Sequence, residues 1–181
     1  MKYTFLIIVF SIAFSNFSLA QHPRYHNDST YSNRIDKAKT LYDTGKYQEA
    51  IMSFNKILND YPDDLVAYLL RGDCKMQLKE YKEAKSDFLI SIALKPLNPQ
   101  SHFSAGEACF FLSEYTEAIH YFDDAIELEP AKGLYYFYRG IAKGANGEED
   151  DGCKDLYRAL DNGYVEAQKS INQLCNSLKP K

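Results

Sequence analysis

Residues 67–96, AYLLRGDCKMQLKEYKEAKSDFLISIALKP, decide the fold, because their landmarks recur at a fixed step of 34 along the chain. Tyr81 has counterparts in Tyr47 and Tyr115, Ala84 in Ala50 and Ala118, Phe88 in Phe54 and Phe122, and Pro96 in Pro62 and Pro130. Gly72 is repeated forward as Gly106 and Gly140. A period of about 20–50 residues held by several independent positions is the mark of a repeat architecture.

Within each period the apolar spacing reads as two helices. Pairs are predicted at about 33–44 and 47–60, 64–78 and 81–94, 98–112 and 115–128, and 132–145 and 149–162. Pro62, Pro96 and Pro130 follow the second helix of each pair, where a missing N–H and a fixed φ stop it. Gly45 permits the tight turn inside the first pair. Gly72, Gly106 and Gly140 let the partner helix approach the backbone, with Ala50, Ala84 and Ala118 as the small residues opposite. Phe54, Phe88 and Phe122 fill the space between neighbouring units. One unit cannot bury these faces alone, so stacked units share a continuous core.

Over residues 31–164 these positions resemble the tetratricopeptide repeat, a helix-turn-helix unit. The resemblance implies an all-α fold, a right-handed α-solenoid with repeats at about 31–64, 65–98, 99–132 and 133–164, in a domain spanning 32–178. The fourth repeat departs from the pattern: Glu149 replaces Tyr, Gly152 replaces Ala and Tyr164 replaces Pro. After Gly163, residues 165–178 read as a capping helix with Ala167, Ile171, Leu174 and Leu178 on one side.

Ahead of the repeats, Lys2 precedes the apolar run Phe5 to Phe14, and Ser18-Leu19-Ala20 offers small residues for cleavage. Residues 1–20 therefore read as a signal peptide cut after Ala20, which predicts a periplasmic or extracellular protein. The run is too short to cross a bilayer comfortably. Residues 21–31, QHPRYHNDSTY, read as a flexible mature N-terminus. Formal charge is −4, and removing Lys2 makes it −5. With no basic block, a nucleic-acid footprint is not expected.

Enzymatic chemistry is not expected, and neither is a cofactor or a metal. The chain has no nucleotide-binding loop, HExxH or nucleophile elbow. His22 and His26 lie in the N-terminal segment, His102 at a packing position and His120 toward water. Asp150, Asp151 and Asp155 read as an acidic first turn that suits the helix dipole. Cys153 and Cys175 lie ten residues before and twelve after Gly163, level on antiparallel helices. A disulfide there closes a loop that could stabilise the fold by roughly 3 kcal/mol. Cys74 and Cys109 read either as a bridge or as buried thiols.

The first helices leave one further stripe. It holds Tyr42 with Ile35 and Lys39; Leu69, Asp73 and Met76; Phe103, Glu107, Phe110 and Phe111; and Phe137 and Ile141. The resemblance implies that this concave stripe binds an extended peptide or a partner helix. Its aromatic content favours an apolar segment, since Ile35 and Lys39 supply one cation at most for gripping a carboxylate tail. The same side chains could instead pack between helices or lie under residues 21–31. The expectation is an exported adaptor for protein–protein interaction that uses Tyr42, Leu69, Met76, Phe103, Phe110, Phe111, Phe137 and Ile141. A structural subunit of an envelope assembly, working through its convex face or ends, is the rival. Oligomeric state is left open.

Overall fold

The computed structural model describes residues 29–175. The expected signal peptide, residues 21–28 and the last residues of the expected capping helix, 176–178, lie outside that range. Among the described residues the order is α1 (Ser29–Asp43), α2 (Tyr47–Asp60), α3 (Leu65–Gln77), α4 (Tyr81–Leu94), α5 (Pro99–Phe111), α6 (Tyr115–Leu128), α7 (Gly133–Ala145), α8 (Glu149–Asp161) and α9 (Ala167–Leu174). Each helix packs on the next, and α1, α3, α5 and α7 also touch in sequence along one side. The result is an α-solenoid whose odd-numbered helices form the inner wall.

Starts and stops follow local chemistry. Asp64 caps α3 by accepting from the Ala67 N–H at 3.0 Å, and Asn98 caps α5 by accepting from the Ser101 N–H at 3.1 Å. The α1 helix begins four residues before the expected start at 33, taking in residues 29–31 of the segment read as flexible. Tyr31 gives that first turn something to bury: its ring lies edge-on to Tyr61 at 5.1 Å. The turns within the pairs repeat a feature that residue identity hides. Gly45, Lys79, Ser113 and Gly147 all have positive φ, at 75°, 61°, 63° and 87°. In every one of these turns the next N–H bonds back five residues: Lys46 to Leu41, Glu80 to Lys75, Glu114 to Cys109 and Glu148 to Lys143.

The glycine positions are filled by aromatic rings. A Cβ on Gly72 would lie 2.5 Å from the Phe88 ring, and one on Gly106 would lie 2.6 Å from the Phe122 ring. Phe54, Phe88 and Phe122 are fully buried. Each of the latter two rings sits over the glycine of its own unit, and Phe122 also reaches Tyr138 of the next at 6.0 Å. The fourth unit solves the same problem differently. There Gly140 and Gly152 face each other, and a Cβ on either would lie 2.8 or 2.7 Å from the other's carbonyl oxygen. The Gly152 that broke the sequence pattern thus brings α7 and α8 together backbone to backbone. Because backbone yields less than a side-chain tip, Gly140→Ala is expected to destabilise by about 1–3 kcal/mol. A thermal melt of that variant matching wild type would refute the close approach.

The buried ion pairs among the described residues fall into two equivalent clusters 68 residues apart. Asp87 accepts from Arg71 Nε and Nη2 at 2.9 and 2.6 Å and from Lys75 Nζ at 2.7 Å. Asp155 accepts from Arg139 Nε and Nη2, both at 2.7 Å, and from Lys143 Nζ at 2.8 Å. Each arginine also reaches back one unit, Arg71 to Asn55 at 2.7 Å and Arg139 to Asp123 at 2.6 Å. This corrects the reading of Asp155 as part of an acidic first turn. It points inward as a counter-ion, while Asp150 and Asp151 stay on the exposed first turn of α8.

Cys153 on α8 and Cys175 just past α9 are joined as a disulfide, with their Cα atoms 5.7 Å apart. The bridge ties the short last helix to the final pair. Cys74 and Cys109 are free buried thiols. His102 is also buried, its Nε2 2.7 Å from the Pro96 carbonyl oxygen. Among the described residues no helix is long and apolar enough to cross a membrane.

Candidate functional site

The inner wall opens into a cavity of about 500 Å³ formed by α1, α3, α5 and α7. Tyr42, Met76 and Phe111, all in the aromatic stripe, line it. Asp73, Gln77, Gln100, Glu107 and Tyr138 complete the wall, and Lys79 and Tyr81 stand where the turn after α3 meets the rim. Phe111 is 48% exposed, and its ring stacks on Tyr81 at 4.9 Å with an interplanar angle of 10°. A large ring held open to solvent on a rigid neighbour is a ready contact surface.

The other stripe residues sit elsewhere. Phe103 is only 3% exposed and packs within the core, 4.9 Å from Tyr135 and 5.2 Å from Tyr138. Its expected place on the groove surface is therefore corrected. The reason is the direct approach of α5 to α7, which covers this face of α5. Leu69 is half-buried beside the Phe88 cluster, and Phe110 packs against the Phe122 cluster with Tyr115 at 5.6 Å. Phe137 and Ile141 pack toward the disulfide and Leu156, and Phe137 meets Tyr164 at 4.9 Å. Of the stripe's aromatic and apolar residues, Tyr42, Met76 and Phe111 reach the cavity, so only part of the stripe is available to a ligand.

Electrostatics define the cavity as much as shape does. Burial pushes the Asp73 carboxyl up to about 6. Burial lifts Glu107 to about 7, against the lowering effect of a Tyr138 hydroxyl bond and with a further rise from the Asp73 charge. The Tyr138 phenol is pushed up to about 12 by its own burial and by Glu107. Tyr42 is raised by burial and then by Asp73. Above about pH 7 the cavity therefore carries negative charge with little to balance it. Arg71 and Lys75 are held by Asp87, Arg139 and Lys143 by Asp155, and Lys85 by Glu114 and Glu117 at 2.7 and 2.8 Å.

A second cluster, Cys109, Glu114 and Glu117, gathers three possible metal-ligating atoms. It does not fit a metal. The Lys85 ammonium already sits on both carboxylates, and burial pushes the Cys109 thiol up to about 12, so it stays protonated.

Known proteins share the repeat and the fold. Family models described as the tetratricopeptide repeat match residues 41–86 and 99–132. The mouse (Mus musculus) tetratricopeptide repeat protein 16 is 32% identical over 111 residues, covering 58% of this chain and 14% of that protein. The chain thus spans only a small fraction of that relative's length. Among solved structures, a crystal structure of MamA superposes with a TM-score of 0.73 at 21% identity, covering 80% of both chains, a likeness of fold alone. The first tetratricopeptide domain of Spaghetti (RPAP3), bound to the HSP90 peptide SRMEEVD, superposes with a TM-score of 0.63 at 25% identity. That match covers 65% of this chain and 93% of that one. The chain is a tetratricopeptide-repeat protein, and its α-solenoid is the fold of that class.

Proposed function

We propose that this protein is an exported adaptor that binds a peptide segment of another protein in its concave cavity and performs no catalysis. The observation that carries the reading is the open aromatic wall: Phe111 stacked on Tyr81, with Tyr42 and Met76 lining the same cavity of about 500 Å³. Peptide binding by the RPAP3 domain of the same fold supports peptide recognition by this one. Export is supported by the Lys2, apolar and Ser18-Leu19-Ala20 pattern at the N-terminus, together with the Cys153–Cys175 disulfide, which suits an oxidising compartment.

Phe111→Ala is the direct test. Its ring is half-exposed and rests on the half-buried rings of Tyr81 and Phe110, so the fold should hold. Losing such an anchor is expected to weaken partner binding about tenfold, equivalent to about 1.4 kcal/mol. Capture from an envelope extract, run in parallel with wild type and the variant, checks this. Identical sets of retained proteins, with an unchanged melt, would reject the groove and favour an assembly subunit that works through its convex face. Leu97, in the turn between α4 and α5, is 75% exposed, and Val165, between α8 and α9, is 67% exposed.

A further inference from the structure

Resting on the adaptor reading, we infer that the cavity recognises a basic side chain of the bound peptide, lysine or arginine, seating its cation at Asp73 and Glu107 and its stem against Tyr42, Tyr81 and Phe111. The contrast within the molecule is the argument. Where this fold buries a carboxylate for structure, it supplies cations in full: Asp87 and Asp155 each receive an arginine and a lysine. Asp64 is the exception, and it caps a helix. Asp73 and Glu107 lie in the cavity with no such partner, Glu107 having only the neutral Tyr138 hydroxyl. Lys79 is in the lining but exposed at the rim.

Asp73 and Glu107 are half-buried, and structural carboxylates left this way are hard to explain, because a partly desolvated charge without a counter-ion is unfavourable. A ligand cation resolves it. The walls suit the same guest, since tyrosine and phenylalanine faces attract a cation electrostatically while covering its methylenes. Charge also sets what is refused. A peptide like SRMEEVD, held by the related RPAP3 domain, would bring its acidic side chains against these two carboxylates. The partner segment is accordingly apolar with one basic anchor.

The test uses the mature protein immobilised against four pools of capped nonapeptides. Flanking positions are degenerate in leucine, alanine, serine and tyrosine, and the centre is fixed as arginine, lysine, citrulline or glutamate. We expect the arginine and lysine pools to be retained at least tenfold over the citrulline and glutamate pools. In Asp73→Asn with Glu107→Gln, which keeps side-chain shape, that preference should vanish. Phe111→Ala should lower retention of the basic pools as well. Equal retention of all four pools, a preference that survives the double substitution, or no retention of any pool would overturn the inference. If the pools bind equally and Phe111→Ala still weakens them, only the cation assignment fails. Binding indifferent to Phe111→Ala removes the adaptor reading too.

Discussion

Asp155→Ala is expected to destabilise the fold by about 3–5 kcal/mol, as removal of one partner from a buried ion pair does. Asp155 is 1% exposed and accepts three charge-assisted hydrogen bonds from Arg139 and Lys143. Deleting it leaves a guanidinium and an ammonium largely out of water, with Asp123 on the surface the one carboxylate still bonded to Arg139. The loss is that of orphaned charge. It says nothing of whether the pair outperforms an apolar replacement. In a chain of this size the change corresponds to about 6–20 °C in Tm. Asp155→Asn keeps an acceptor and the shape, so it should lose less. Asp87→Ala should behave like Asp155→Ala, because the two clusters are built from the same residues at the same spacing. A loss below about 1 kcal/mol in thermal or urea melts would show that water reaches the cations and that the cluster is peripheral.

The clusters show where sequence reading reached and where it stopped. The 34-residue step gave helix order, proline stops and the buried Phe54, Phe88 and Phe122, because packing acts on one residue type at one position. The ion pairs recur at twice that step, with Ala105 and Tyr121 at the equivalent places in the third unit, so a single-period comparison passes over them. The left-handed turn position is occupied by Gly45, Lys79, Ser113 and Gly147, and the backbone requirement there is invisible in residue identity. At the site, Tyr42, Met76 and Phe111 of the stripe line the cavity. Helix phase could not show that α7 closes over Phe103, since that depends on how near adjacent units approach. Asp73 and Glu107 were in plain sight, 34 apart and each directly after a period glycine. Their lack of cations became legible only once the neighbouring arginines and lysines were seen to be held elsewhere.

That imbalance leads to the second large effect, which runs opposite to the first. Removing charge from the cavity with Asp73→Asn and Glu107→Gln is expected to stabilise the free protein at pH 8. The folded state holds Asp73 at about 6 against an ordinary 3.8, and Glu107 at about 7 against 4.5. Both groups bind protons more tightly folded than unfolded, so their favourable contribution is complete below about pH 4 and is lost as pH rises through 6 to 7. The tyrosines facing them, Tyr42 and Tyr138, are raised above their ordinary 10 and stay neutral throughout that window. At about 1.4 kcal/mol for each tenfold change, the two carboxyls together set a ceiling near 6 kcal/mol. Water in the open cavity screens both groups and reduces this to about 2–4 kcal/mol. The double variant should therefore melt well above wild type at pH 8 and level with it near pH 4. A retained basic peptide should close the gap at pH 8 by stabilising wild type alone. A gain of the same size at both pH values would mean that the amides act by packing. No gain at pH 8 would mean that the carboxylates are already satisfied, leaving the cavity no claim on a cation.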